Sequence, residues 1–61
     1  MNSRELIKRL VADGWFLART KGSHRQYKHP HKPGLVTVPH SRRDLPVKTV
    51  RSALRQAGLE G

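Results

Sequence analysis

Four histidines could transfer protons near neutral pH, and one of them follows a turn suited to a phosphate. His24 comes directly after Lys21-Gly22-Ser23, in which glycine can adopt a positive φ and lysine supplies charge. An RNA strand carries its own nucleophile, the 2′-hydroxyl, so a protein needs only to move protons and neutralise phosphate. Histidine suits this task because both of its protonation states are available near neutrality. The pattern predicts His24 as a general acid or base that needs no metal ion.

The alternative interpretation of His24 is a polar residue on a solvated strand, because a single histidine is a weak signal. The other histidines, His29, His31 and His40, adjoin prolines and are interpreted as exposed loop residues or phosphate contacts. A zinc site would need these side chains to converge from two loops and a hairpin without any cysteine. The acidic residues are explained by helix ends and the C-terminus. We therefore expect neither a metal centre nor a cofactor.

Charge indicates the kind of partner. Thirteen Lys and Arg against four Asp and Glu give a net charge of +9 on 61 residues, which favours a polyanion. Hydrophobic residues make up 34% of the chain and are periodic, so the charge belongs to a folded domain and not to a disordered tail. The partner is then nucleic acid, an acidic protein, or both. The residues expected to contact RNA are Lys21, Gly22, Ser23, Gln26 and Lys28.

The compartment is predicted from what the sequence lacks. Without cysteine neither a disulfide framework nor a thiolate metal site can form, which fits a reducing compartment. The longest apolar run, residues 15–18, is far too short for a membrane span, and charged residues stand where a signal peptide would be apolar. We expect a cytoplasmic protein with no membrane association.

Two segments have helical spacing of apolar residues. Residues 2–14 are predicted to form a helix capped by Asn2, with Glu5 three positions on, and ended by Gly14. A second helix is predicted to start near Asp44 and Pro46 and to end at Gly58. Its apolar stripe comprises Val47, Val50, Leu54 and Ala57.

Between these helices the sequence predicts three strands, at residues 15–20, 24–29 and 35–38, the last ended by Pro39. The expected fold is α+β, a single domain over residues 1–61 in which both helices pack on one face of a three-stranded antiparallel sheet. Because Tyr27 should face the helices, alternation sends His24, Gln26 and Lys28 to the other side. Arg25 and His29 should point to the helices, as Tyr27 does. The predicted core includes Leu10, Trp15, Val36, Val38 and Leu54.

An ordered set of short motifs resembles a known family over nearly the whole chain. The set comprises Asp13-Gly14-Trp15, Lys21-Gly22-Ser23-His24 with Gln26-Tyr27, Val36-Thr37-Val38-Pro39, Asp44-Leu45-Pro46 and Ala57-Gly58-Leu59. In this set the chain resembles HicA, the toxin of HicAB toxin-antitoxin systems. The resemblance implies the α-β-β-β-α fold of a double-stranded-RNA-binding domain. It also implies an endoribonuclease, an mRNA interferase whose catalytic histidine follows the Gly-Ser pair and corresponds to His24.

The resemblance further implies a HicB-like acidic antitoxin that covers the active surface, and growth arrest under stress when the toxin is free. We expect the toxin alone to be monomeric and to join a larger complex with the antitoxin. One departure is Arg25, where many relatives have a second histidine. The second acid or base therefore stays open between His29, His40, Lys28 and a water molecule.

Two other functions fit the charge. A non-catalytic RNA-binding module resembling a double-stranded-RNA-binding domain is one, although only Lys48 lies in the first turn of the final helix, which such domains enrich in lysine. A small ribosome-associated structural protein is the other, suggested by size and basicity alone.

Overall fold

The computed structural model describes residues 1–40 and 43–59, and Glu60, the acidic residue near the C-terminus, lies outside it. Five elements follow in order: α1 (Ser3–Ala12), β1 (Phe16–Lys21), β2 (His24–Lys28), β3 (Val36–Pro39) and α2 (Val47–Gln56). The α+β class and the element order predicted from the sequence are confirmed. None of the described helices is long and apolar enough to cross a membrane.

Helix α1 begins and ends as its sequence predicts. The Asn2 side chain accepts a hydrogen bond from the backbone N–H of Glu5 at 2.8 Å. At the other end Gly14 has φ +107°, and the N–H of Trp15 donates to the carbonyl of Leu10 at 3.0 Å. These features, with a bond from Gly14 N–H to the residue 11 carbonyl, form a Schellman motif. Trp15 is thereby turned into the core, 2% exposed, and β1 starts one residue later than predicted.

Helix α2 ends with the same motif but begins differently from the prediction. Pro46 stands at the N-cap, and no side chain of the described residues, Asp44 included, makes a capping hydrogen bond there. The prediction that Val47 belongs to the buried apolar stripe is wrong, because this residue is 71% exposed. The other three predicted residues pack on the core, Ala57 fully buried and Val50 and Leu54 partly buried, and Ala53 joins them.

The sheet has the order β1-β2-β3, and both pairings are antiparallel. The helices pack against β3, and all six residues of the edge strand β1 are exposed. Pro39 is tolerated in β3 because an edge strand needs no donor on its outer side. The core between sheet and helices consists of Leu6, Leu10, Trp15, Tyr27, Val36, Val38, Leu45, Ala53 and Ala57.

The connection from β2 to β3 is fixed to both helix ends by polar side chains. The Nε2 of His29 donates to the carbonyl of Asp13 at 2.7 Å, and its Nδ1 accepts the N–H groups of His31 and Lys32 at 3.0 and 3.2 Å. Lys32 Nζ reaches the Asp13 carboxylate at 2.6 Å and the carbonyl of Ala57 at 3.0 Å. The hydrogen bond from Lys32 lowers the pKa of Asp13 below its ordinary value.

Candidate active site

Strand β2 divides its side chains between the two faces of the sheet. Tyr27 points to the helices and is 2% exposed, and it pairs across the sheet with Leu17 of β1 and Val36 of β3. Because successive side chains alternate, His24, Gln26 and Lys28 point away from the helices. His24 and Lys28 are exposed and Gln26 is half-buried. The side of the sheet without helices therefore carries the residues that the hairpin sequence singles out.

A β-bulge determines which side chains of β1 join them. Phe16 pairs with Lys28 and Arg19 with Gln26, and the register shifts between residues 17 and 19. Ala18 is the extra residue, so the alternation slips by one and Phe16, Arg19 and Lys21 all share one face. Simple two-residue alternation would place Phe16 opposite Arg19. Sequence reasoning missed Phe16 and Arg19 for this reason, since nothing in the local pattern marks the bulge.

The resulting surface, called the open face below, is a grid of three rows. Neighbouring rows lie about 7 Å apart along the strands, and neighbouring columns about 4.8 Å apart. Leu35 extends the third row, because it precedes Val36 and lines the same depression as Lys28. The rows are Lys21, His24 and Pro39; Arg19, Gln26 and Thr37; Phe16, Lys28 and Leu35.

The first row adjoins the two-residue turn of the β1–β2 hairpin. Gly22 has φ +58° there, the positive value that hairpin turns favour at the first central position. No atom lies within 4 Å of where a Cβ would stand on Gly22, so a ligand can approach this backbone closely. The carbonyl of Ser23 accepts the N–H of His40 at 2.7 Å, which fixes the turn to the end of β3.

Arg25 and His40 meet on the opposite, helix-covered side. The Arg25 guanidinium can only donate, so its contact of 3.1 Å makes Nε2 of His40 an acceptor. Both residues line a groove of about 350 Å³ with the first half of α1, namely Ser3, Arg4 and Ile7. The imidazole of His40 is thus used away from the open face.

The structure places His24 at one end of the open face with Lys21 and the turn residues Gly22 and Ser23. Of the other predicted RNA contacts, Gln26 lies in the middle row and Lys28 in the third row, at the opposite end. His29 lies past the far end of β2, where both ring nitrogens are already hydrogen-bonded. His31 is in the loop beyond it. Within residues 1–40 and 43–59 no three His, Asp or Glu side chains are grouped so as to hold a metal ion.

These features define a small, strongly basic α+β protein that presents one histidine among cations on an uncovered sheet face. A family model described as HicA toxin of bacterial toxin-antitoxin matches residues 3–59. A solved structure of a toxin-antitoxin complex from Streptococcus pneumoniae contains a similar chain. The two are 35% identical over 97% of this chain and 98% of that one, with a TM-score of 0.81. A search of curated proteins finds no match. The chain belongs to the HicA toxin family.

Proposed function

We propose that this toxin is a metal-independent endoribonuclease that cuts mRNA with His24 and so arrests growth. The observation that carries the proposal is the placement of His24 in one row with Lys21, beside the open turn at Gly22. An exposed imidazole next to a cation and an accessible backbone can meet both the ribose and the phosphate of one nucleotide.

The proposed reaction is internal transesterification. His24 takes the proton of a ribose 2′-hydroxyl through a ring nitrogen, and the freed oxygen attacks the adjacent phosphorus. The bond from phosphorus to the 5′-oxygen breaks, which leaves a 2′,3′-cyclic phosphate and a 5′-hydroxyl end. Lys21 neutralises the charge that develops on the phosphate oxygens.

The leaving 5′-oxygen needs a proton, and the positions of His29, His40 and Lys28 argue against each of them as the donor. His29 has both ring nitrogens engaged, and His40 accepts from Arg25 on the helix side. Lys28 lies two rows from His24, about 14 Å along the strand. A water molecule is therefore the proposed donor, taken from solvent at the first row.

The test is cleavage of end-labelled single-stranded RNA by the purified toxin and its His24→Ala variant in EDTA. The wild type should yield cyclic-phosphate and 5′-hydroxyl ends. The variant should lose about 100-fold or more in rate, the usual contribution of a general acid or base, while circular dichroism stays unchanged. His31→Ala is the matched control because it removes an exposed histidine from the loop beyond β2. Cleavage by His24→Ala at the wild-type rate would falsify the role of His24.

We also propose an acidic antitoxin as the protein partner, held against the open face. The family and the Streptococcus pneumoniae toxin-antitoxin complex support such a partner. Its acidic residues would compete with RNA phosphates for the same cations. Adding a HicB-like protein should stop cleavage in proportion to the toxin that it binds. Full cleavage in the saturated complex would contradict this.

A further inference from the structure

We propose that the second and third rows of the open face form a pocket for one RNA base beside the cut bond, and that Gln26 reads that base. This inference deepens the proposed function, because it assigns sequence preference to the same surface. The second and third rows would bind a base, whereas the first row would bind ribose and phosphate.

The pocket is a depression of about 290 Å³ bordered by β1, β2 and Leu35, the residue before β3. This is about ten times the volume that a water molecule occupies in the liquid. Ala18 and Leu35 supply apolar walls, and Arg19 and Lys28 supply cations. Gln26, half-buried, lies on the central strand between them. A mainly polar cleft with two apolar side chains, two cations and one amide suits a flat heterocycle that is joined to phosphates.

The distance from His24 determines which base can enter. Gln26 lies one row from His24, about 7 Å along β2. That step is close to the length of one extended nucleotide. When the scissile phosphate is at His24, the pocket is within reach of the neighbouring base and not of a distant one.

The neutral side chains of these rows favour a base over a second phosphate. The amide of Gln26 has an NH₂ donor group and a carbonyl acceptor side by side, and such an amide forms two hydrogen bonds with N6 and N7 of adenine. Phe16 is half-exposed at 50%, in the third row beside Lys28, although its ring has no role in the core. An exposed aromatic ring on a cationic surface is a stacking platform for bases. The pocket therefore fits adenine, with the next base stacked on Phe16.

The experiment measures binding without cleavage. Octamers of adenosine, cytidine and uridine with 2′-fluoro sugars lack the nucleophile, and so they cannot be cut even by the active toxin. Fluorescence anisotropy should show the wild type binding the adenosine octamer about fivefold or more tightly than the uridine octamer. In Gln26→Leu, which keeps the size of the side chain, the two affinities should agree within about twofold.

Gln56→Leu is the matched control, since it makes the same change at an exposed position of α2 and should keep the adenosine preference. Equal binding of all three octamers by the wild type would overturn the proposal. A preference that persists in Gln26→Leu would overturn it as well. Because no strand is cut, these results are independent of the His24 test: loss of one function leaves the other measurable.

Discussion

The carboxylate of Asp13 joins three parts of the molecule through one oxygen. Its Oδ2 accepts from the indole of Trp15 at 3.1 Å and from Lys32 Nζ at 2.6 Å, and Lys32 continues to the end of α2 at Ala57. Both donors prefer the ionised carboxylate, which is why the pKa of Asp13 is lowered, first of all by Lys32. A titrating group with that many neighbours links folding to pH.

The stabilisation by Asp13 should be present at neutral pH and lost in acid. The unfolded chain has the ordinary Asp pKa of 3.8, and the folded value is lower. Between the two values the unfolded state binds more protons, so the free energy of unfolding rises with pH there. Melting temperatures from pH 7 to pH 2 should show Asp13→Asn below the wild type at neutrality, with the difference shrinking below about pH 4. Asp44→Asn, an exposed carboxyl ahead of α2, is the control. A difference that is constant with pH would contradict the assignment.

Residues that act on near neighbours in sequence could be predicted, and those that act at a distance could not. Asn2 and Gly14 are recognisable because a cap and a left-handed residue are set by the next few positions. The contact between Lys32 and Asp13 joins residues 19 apart. Only the packing of the β2–β3 loop against the helix ends brings them together.

Among the elements, α1 owes its end to one backbone position that no other residue fits. Gly14 has φ +107°, and a Cβ there would stand 2.7 Å from Nε2 of His29. That nitrogen donates to Asp13, so it cannot withdraw without losing a partly buried hydrogen bond. The end of α1 and the anchoring of the β2–β3 loop thus both depend on residue 14 having no Cβ atom.

Gly14→Ala should therefore cost more stability than an equivalent change elsewhere. Gly34→Ala is the matched control, because Gly34 has φ +86° and nothing within 4 Å of its missing Cβ. We expect a loss of about 1 to 2 kcal/mol at Gly34 from backbone strain alone. Gly14→Ala should add about 1 to 3 kcal/mol for the overpacked contact. Urea unfolding measures both, and equal losses in the two variants would rule out the His29 contact as the cause.

The two elements that departed from prediction did so for tertiary reasons. Helical spacing put Val47 on the apolar stripe of α2, yet Val47 is 71% exposed, because burial depends on what the helix packs against. Likewise the composition of β1 indicates a strand, but the bulge at Ala18 follows from its pairing with β2. Whether a segment forms a helix or a strand follows from its local sequence. The face to which each of its side chains points depends on the elements that pack or pair with it.

At the scale of the whole molecule, the apolar core and the cations of the open face lie on opposite sides of the sheet. The buried residues lie between the sheet and the helices, while the open face presents Arg19, Lys21 and Lys28, one cation in each row. The excess of cations is evident from the composition, which predicts a polyanionic partner. The sequence does not predict which cations share one surface, since that depends on the register of the sheet.

The salt dependence of RNA binding should report how many of these cations meet phosphates. Three contacts predict a slope of log K against log salt of about −2, from about −0.7 for each phosphate of a single strand. Lys21→Ala or Lys28→Ala should make the slope shallower by about 0.7. Lys8→Ala, exposed on α1, is the control and should leave it unchanged. The measurement is anisotropy with a 2′-fluoro octamer across a salt series, and a flat response would mean that phosphates are not bound there.

None of the nine positions of the open face belongs to the buried cluster, and the edge strand β1 contributes nothing to it. Substitutions on the open face, the surface proposed to bind RNA, should therefore change binding with little effect on folding. An antitoxin bound to that surface would have to follow every such change, so cognate pairs should diverge together at the grid while the opposite side of the sheet stays fixed.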